Sequence, residues 1–252
     1  MNKQVNILGV RFDNESNQSA RQKISQWLDE TGLKKIYTPN PEIVMMADKN
    51  PEFKEVLNRG DLIIADGIGV IYASRIGKKP LQERVTGYDT SIYLIEEAQR
   101  KGLSLYIMGG AKGVADKACE NLRKDYPHLK IAGCHHGYYK GAHIGHAGHE
   151  EEQAVIKDIN DSGADILFVC LGAVKQEQWI EANASQLNCK IAIGNGGTVD
   201  GLAGNLKRAP EFFQKANLEW FYRLVCEPSR IKRQIVLPLF MLKVIFNKKA
   251  VQ

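Results

Sequence analysis

Asp66 ends the apolar run Leu62-Ile63-Ile64-Ala65 and precedes Gly67 and Gly69. A carboxylate there either caps the helix that follows or acts as a general base in a partly desolvated cleft. Arg84 lies in Glu83-Arg84-Val85-Thr86-Gly87-Tyr88-Asp89. It either grips a diphosphate through a forked, charge-assisted contact or pairs at the surface with Glu83 or Asp89. Met108-Gly109-Gly110-Ala111-Lys112-Gly113-Val114 joins an apolar run to a helical pattern. Its glycines let backbone approach a phosphate at a helix N-terminus, although a plain tight turn has the same composition. Thr38 and Asn40, in Thr38-Pro39-Asn40-Pro41-Glu42, offer a hydroxyl and an amide, or an Asx-type turn before a helix. The longest polar cluster, Leu171-Gly172-Ala173-Val174-Lys175-Gln176-Glu177-Gln178-Trp179, directly follows the apolar run Ile166–Cys170.

All of these clusters except Glu83–Asp89 sit at the carboxyl end of a predicted strand. Strands are expected at Val5–Val10, Lys35–Thr38, Leu62–Ala65, Ser104–Met108, Lys130–Gly133, Asp165–Leu171 and Lys190–Gly194. Helical patterns lie between them at Ser16–Glu30, Glu42–Asp48, Pro51–Asn58, Tyr88–Lys101, Val114–Asp125, Glu150–Asp161 and Lys175–Gln186, with Gly60, Gly102 and Gly163 as stops. This alternation predicts an α/β, Rossmann-like fold, a mostly parallel sheet with helices on both faces. Such sheets bind ligands beyond the carboxyl ends of their strands. Gly196 and Asp200, in Ile193-Gly194-Asn195-Gly196-Gly197-Thr198-Val199-Asp200, close the last strand and join the candidate set.

The 252 residues divide into a 1–206 core and a basic 207–252 appendage. The appendage carries ten Lys and Arg against three Glu, a net +7, whereas the rest of the chain is at −2. An anionic partner is therefore expected for the tail alone. Ile235–Phe246 is apolar, interrupted by Pro238 and Lys243 and flanked by basic residues. It is too short to span a bilayer and suits a segment lying among lipid headgroups, or else a terminal helix docked on the core or on another subunit. Met1–Asn6 is too polar for a signal peptide. The five cysteines are scattered without a CxxC pair, which fits a reducing, cytoplasmic setting. All six histidines fall between His128 and His149. Glycines separate His143, His146 and His149, so a mobile loop is expected there and no metal site is assigned. The chain lacks the Asp-x-Asp pair that metal-dependent sugar transferases use. A nicotinamide-dependent oxidoreductase would share this sheet but needs a fuller glycine fingerprint than Gly109-Gly110. A non-enzymatic membrane or nucleic-acid binder would explain the tail and leave the strand-end clusters without a purpose.

The clusters together resemble, in order, the motifs of the WecG/TagA/CpsF glycosyltransferases. Leu171–Trp179 is similar to LGxPKQExW, with Val174 in place of proline, a change expected to loosen the loop entry. Thr38–Glu42 resembles TxNPE, Ala65–Val70 resembles ADGxGV, and Arg84–Asp89 resembles RVTGxD. His136-Gly137-Tyr138 is similar to an HGYF-like element, and Ile193–Asp200 to GVGGxFD with Asn195 and Val199 as departures. Leu202–Pro210 resembles LAGxxxRAP, and Leu218–Arg230 resembles LEWxYRLxxEPxR.

The resemblance implies an inverting, metal-independent transfer without cofactor. The TagA branch, the nearest in motif, uses UDP-N-acetylmannosamine and undecaprenyl-diphospho-N-acetylglucosamine, whereas other branches use UDP-N-acetylmannosaminuronic acid or UDP-glucose. By the same resemblance Asp66 is the base, Thr38, Asn40 and Gln176 orient the sugars, and Arg84 stabilises the leaving diphosphate. The donor nucleotide falls to Gly109, Gly110, Lys112, Tyr138, Gly172, Gly196 and Asp200, with Tyr138 stacking on uracil. Arg208, Arg223, Arg230 and Arg233 are assigned to the donor or lipid diphosphates, so that the appendage completes the site. The implied setting is peripheral, at the inner face of the cell membrane, with a homo-oligomer left open and no nucleic-acid partner.

Overall fold

The structure is a computed structural model that describes residues 3–206, 209–210, 212–213, 218–226, 231, 235–247 and 249–252. Arg208, Arg230 and Arg233 lie outside the described residues, as does the side chain of Arg223.

A six-stranded parallel sheet has the order β4-β3-β8-β7-β5-β6. Its strands are β3 (Lys34–Tyr37), β4 (Leu62–Ile63), β5 (Ser104–Gly109), β6 (Lys130–His135), β7 (Ile166–Cys170) and β8 (Ile191–Gly194). Alternate strand residues serve opposite faces, as the pleat requires. Leu105, Ile107, Ile166, Phe168, Ile191 and Ile193 enter one buried cluster. Tyr106, Met108, Leu167, Val169, Ala192 and Tyr37 enter the other. The first cluster is covered by α1 (Asn17–Trp27), α5 (Gly87–Lys101), α6 (Val114–Asp125) and α9 (Thr198–Leu202). The second is covered by α2 (Pro41–Lys49), α3 (Pro51–Asn58), α4 (Ile68–Ile76), α7 (Glu150–Asp161) and α8 (Lys175–Asn183). Two helices follow in the described part of the tail, α10 (Glu219–Cys226) and α11 (Val236–Phe246).

The predicted α/β architecture is present, with local corrections. Val5–Val10 is not one strand of the sheet. It is split between β1 (Gln4–Ile7) and β2 (Val10–Asp13), an antiparallel pair joined by Leu8 (φ 53) and Gly9 (φ 87). Two successive positive φ values give the mirror-image turn that matches strand twist, a conformation Leu-Gly does not advertise. Asn6 supports the turn by accepting from the Gly9 N–H at 2.9 Å. Gly102 (φ 68) and Gly163 (φ 66) end their helices in the left-handed conformation, as expected. Gly60 has a different reason to be glycine: a Cβ there would lie 2.7 Å from the Tyr37 ring.

Helix α4 is the helix that the capping reading of Asp66 implies, and it forms although Gly67 and Gly69 weaken the helical pattern. Packing decides it: Val70, Ile71 and Ala73 are buried, and a Cβ on Gly69 would sit 2.8 Å from Pro41 Cγ. The end of the tail docks on the core. Phe240 and Val244 of α11 join the cluster that contains Val44, Ala47, Val70 and Ile71. Lys243 pairs with Asp48 of α2. The last residues extend the hairpin, with Leu8 N–H donating to Ala250 O at 2.7 Å and Gln252 N–H to Asn6 O at 2.9 Å.

Phe240 has no exposed surface. Phe240→Ala is expected to lower the unfolding free energy by about 3–5 kcal/mol in urea titrations. A loss below about 0.5 kcal/mol, the scale of ordinary surface changes, would mean that α11 is not seated as described.

Candidate active site

All six parallel strands end on one side of the sheet, and the loops that leave them enclose a cavity of about 1240 Å³. Close backbone contacts bring the strand ends together. A Cβ on Gly109 (φ 135) would lie 2.2 Å from Cys170 O, so only glycine lets β5 end against β7. A Cβ on Gly196 would lie 3.0 Å from Gly172 Cα and 2.9 Å from Gln176 Oε1.

Asp66 is half-buried at the end of β4 and lines the cavity. It does not cap the helix that follows, whose N-cap is Gly67 with no side-chain cap bond. Its Oδ2 instead accepts from the Gly87 N–H at 3.1 Å, at the first residue of α5. The positive end of a helix favours a carboxylate placed there. The Thr86 hydroxyl caps α5 by accepting from the Asp89 N–H at 3.0 Å, and it donates to the Asp89 carboxylate at 2.7 Å. A further chain of bonds steadies the same helix end. Asn195 Nδ2 donates to Ser91 Oγ at 2.6 Å, and Ser91 Oγ donates to Gly87 O at 2.7 Å. Asn195, a departure from the family pattern, is thus a buried amide with a partner on each side, its Oδ1 receiving Cys170 Sγ at 3.2 Å.

Thr38 is buried and its hydroxyl donates to Gly194 O at 3.0 Å, tying β3 to β8. Asn40 Oδ1 caps α2 through the Ile43 N–H at 3.0 Å. Both residues line the cavity, so the Asx-turn reading of Asn40 and a place at the site hold together. Gln176 is fixed at both ends of its amide, with Oε1 accepting from Gly196 N–H at 2.9 Å and Nε2 donating to Glu177 Oε1 at 2.8 Å. Val174 adopts φ 72, ψ −52. A proline ring fixes φ near −65°, so it cannot occupy this conformation, and the departure marks a differently shaped loop entry rather than a looser one. The strain of that backbone is stored beside Gln176.

Arg84 reaches neither Glu83 nor Asp89. Its Nη2 meets Glu219 Oε2 of α10 at 2.7 Å, with both side chains under one-fifth exposed. Glu83 accepts from Asn17 instead. Gly110, Tyr138, Gly172, Gly196 and Asp200 line the cavity. Gly109 and Lys112 do not: Gly109 is consumed by the β5–β7 contact, and Lys112 is exposed on the loop beyond it. Tyr138 is 71% exposed and offers a free ring face.

The histidine segment is folded, against the expectation of a mobile loop. The buried Glu152 carboxylate accepts from Ala142 N–H and Gly148 N–H, each at 2.7 Å, and from Asn183 Nδ2 at 3.1 Å. His149 caps α7, and His143 is buried, which pushes its imidazole below the ordinary value. Among the described residues no three His, Cys, Asp or Glu side chains converge to hold a metal ion.

Several cavity residues gave no separate signal in the sequence. Tyr72 lies on α4, Leu237 and Met241 come from the tail, and Glu219 and Trp220 belong to the Leu218–Arg230 motif, which assigned them no role. Glu177 is fully buried behind Gln176, its Oε2 without a partner, and burial pushes its carboxyl up to about 7.

Chemically, the site pairs a half-buried carboxylate with cations, helix ends and an exposed aromatic ring. That set suits deprotonation of a hydroxyl beside a bound diphosphate. Comparison with known proteins agrees. Residues 5–252 match the model of the glycosyl transferase WecG/TagA/CpsF family, and the chain belongs to that family. It is similar to proteins named N-acetylglucosaminyldiphosphoundecaprenol N-acetyl-beta-D-mannosaminyltransferase in several bacteria. The relative from Bacillus spizizenii (strain W23) is 36% identical over 89% of this chain and 83% of its own length. That from Staphylococcus aureus (strain MRSA252) is 33% identical over 98% of this chain and 94% of its own. That from Bacillus subtilis (strain 168) is 36% identical over 85% and 80%.

Glu177 makes stability depend on pH in a definite direction. From its ordinary value of 4.5 up to about 7 the folded chain holds a proton that the unfolded chain has released. Stability from this group therefore falls as pH rises through that window, by about 3 kcal/mol in all. Urea titrations at pH 5 and pH 8 should give Glu177→Gln a gain over wild type at pH 8 that is absent at pH 5. A difference that ignores pH would contradict the buried, unpaired carboxyl.

Proposed function

We propose that this protein moves N-acetylmannosamine from UDP-N-acetylmannosamine to the 4-hydroxyl of undecaprenyl-diphospho-N-acetylglucosamine, in assembly of the wall teichoic acid linkage unit. The observation that carries this reading is Asp66, the one carboxylate at the end of β4, held by the N-terminus of α5 inside the cavity. Relatives at 33–36% identity that share one printed activity supply the substrates.

In this mechanism Asp66 takes the proton of the acceptor hydroxyl as the oxygen attacks the anomeric carbon from the face opposite UDP. The anomeric centre inverts. Thr38 and Asn40, on the rigid β3 end, and the doubly held Gln176 fix the two sugars, which lowers the barrier through positioning. The diphosphate gathers charge as it leaves. In this reading the loop after β5 and Arg84 stabilise that charge without a metal ion. Tyr138 stacks on the uracil, and Gly110, Gly172, Gly196 and Asp200 shape the donor side. Arg208, Arg223, Arg230 and Arg233 are assigned to diphosphates by motif alone.

Residues 207–252 act as the membrane-facing part, with the protein peripheral at the inner face. Leu239, Ile245 and Phe246 of α11 are 50%, 52% and 82% exposed, and Phe221 of α10 is also exposed. No helix among the described residues is long and apolar enough to cross a membrane. An apolar ridge flanked by Lys and Arg suits adsorption to an anionic bilayer. The Arg84–Glu219 pair links this part to the cavity wall.

The test is an assay of purified protein with UDP-N-acetylmannosamine and a lipid-diphospho-N-acetylglucosamine, with and without EDTA, read by mass spectrometry. The lipid-linked disaccharide should form in both conditions. Asp66→Asn should lower turnover about 10²–10⁴-fold while UDP binding persists. Turnover with UDP-N-acetylmannosaminuronic acid or UDP-glucose in place of the first donor would reassign the sugar. Full activity in Asp66→Asn would remove it as the base.

A further inference from the structure

One wall of the cavity differs from the rest. Beyond the polar groups around Asp66 it is lined by Ile68 and Tyr72 of α4, Trp220 of α10, and Val236, Leu237 and Met241 of α11. This wall begins beside the reacting carboxylate: Leu237 Cδ2 lies 3.8 Å from the position a Cβ on Gly69 would take, three residues after Asp66. The sequence of α11 explains the arrangement, because it is apolar on all sides except Lys243. Phe240 and Val244 seat it on the core, and Leu237 and Met241, one turn apart, face the cavity. Ile235, Leu239, Leu242 and Ile245 are each about half exposed on its outer side. A helix apolar all round is covered on every side in its working state.

We infer that this wall is a subsite for the first isoprene units of the lipid diphosphate acceptor, leading the chain from the reacting sugar to the outer side of α11. The inference rests on the acceptor assigned above. Its aliphatic part, Val236, Leu237 and Met241, offers a sugar or nucleotide neither a hydrogen bond nor a stacking ring, whereas the acceptor must carry a hydrocarbon chain away from its diphosphate. The wall is continuous with the cavity at one end and borders the exposed ridge of the same helix at the other. The bilayer covers the ridge, and the proximal isoprenoid covers the wall. Wall and ridge therefore act separately: one holds a single chain, the other holds the membrane surface.

The test uses the full chain without vesicles or detergent, and two acceptors, methyl-diphospho-N-acetylglucosamine and farnesyl-diphospho-N-acetylglucosamine, the latter below its micelle concentration. Wild type should show a KM for the farnesyl acceptor about 10-fold or more below that for the methyl acceptor. Leu237→Asn and Met241→Gln, each made separately, should collapse that preference. Leu242→Asn, on the outer side of the same helix, should keep the preference and weaken binding to anionic phosphatidylglycerol vesicles. Equal use of both acceptors by wild type would overturn the subsite and leave the proposed reaction standing. Loss of the preference in Leu242→Asn as well would overturn it too, since general adsorption would then explain the effect. If neither acceptor is used while UDP still binds, the acceptor assignment fails and the subsite falls with it.

Discussion

The site depends on how closely the central strands approach one another at their carboxyl ends. β5 can end against β7 only because residue 109 has no Cβ to strike Cys170 O. β7 and β8 meet through Gly172 and Gly196, and Gln176 reaches across that junction with its amide oxygen while Glu177 holds the amide nitrogen. Thr38 extends the tie to β3. With the ends drawn level, the loops have one direction in which to leave, and the cavity forms where they diverge. Rigid strand ends under short loops hold side chains more closely than long loops can, which is the condition for catalysis by positioning.

Electrostatics then divides the carboxylates into different tasks. Asp66 faces the cavity from a helix N-terminus that favours its charge. Glu177 lies deeper, where burial favours its proton, and it steadies the Gln176 amide. Glu152 accepts from two N–H groups of the histidine segment and from Asn183 of α8, which folds that segment over one side of the cavity. Glu219 meets Arg84 from the tail and so joins α10 to the wall. Desolvation and hydrogen bonding separate groups that look alike in the sequence.

The sheet was legible because its strands are buried on both faces and read as apolar runs with polar clusters at their ends. Asp66, Thr38, Asn40, Gln176, Gly172 and Gly196 were found for the same reason, and the structure brings them to one cavity. Gly109 and Lys112 were grouped with them because a glycine that admits a ligand and one that admits a neighbouring strand are the same letter. The Leu8-Gly9 turn and the extent of α4 have no local pattern because tertiary packing, not local propensity, decides both. The partner of Arg84 lies 135 residues away in Glu219, and no local pattern announces a pair at that separation. Wall and ridge of α11 could not be told apart either, since every residue concerned is simply apolar until the docking of Phe240 and Val244 sets the rotation of the helix.

The central claim is that Asp66 serves one direct displacement at the anomeric carbon, and the configuration of the product tests it most directly. Proton NMR of the lipid-linked disaccharide formed from the α-linked UDP-sugar should give a β-linked product. An α-linked product would require two displacements or a front-face path, and would contradict a mechanism in which Asp66 acts only as base.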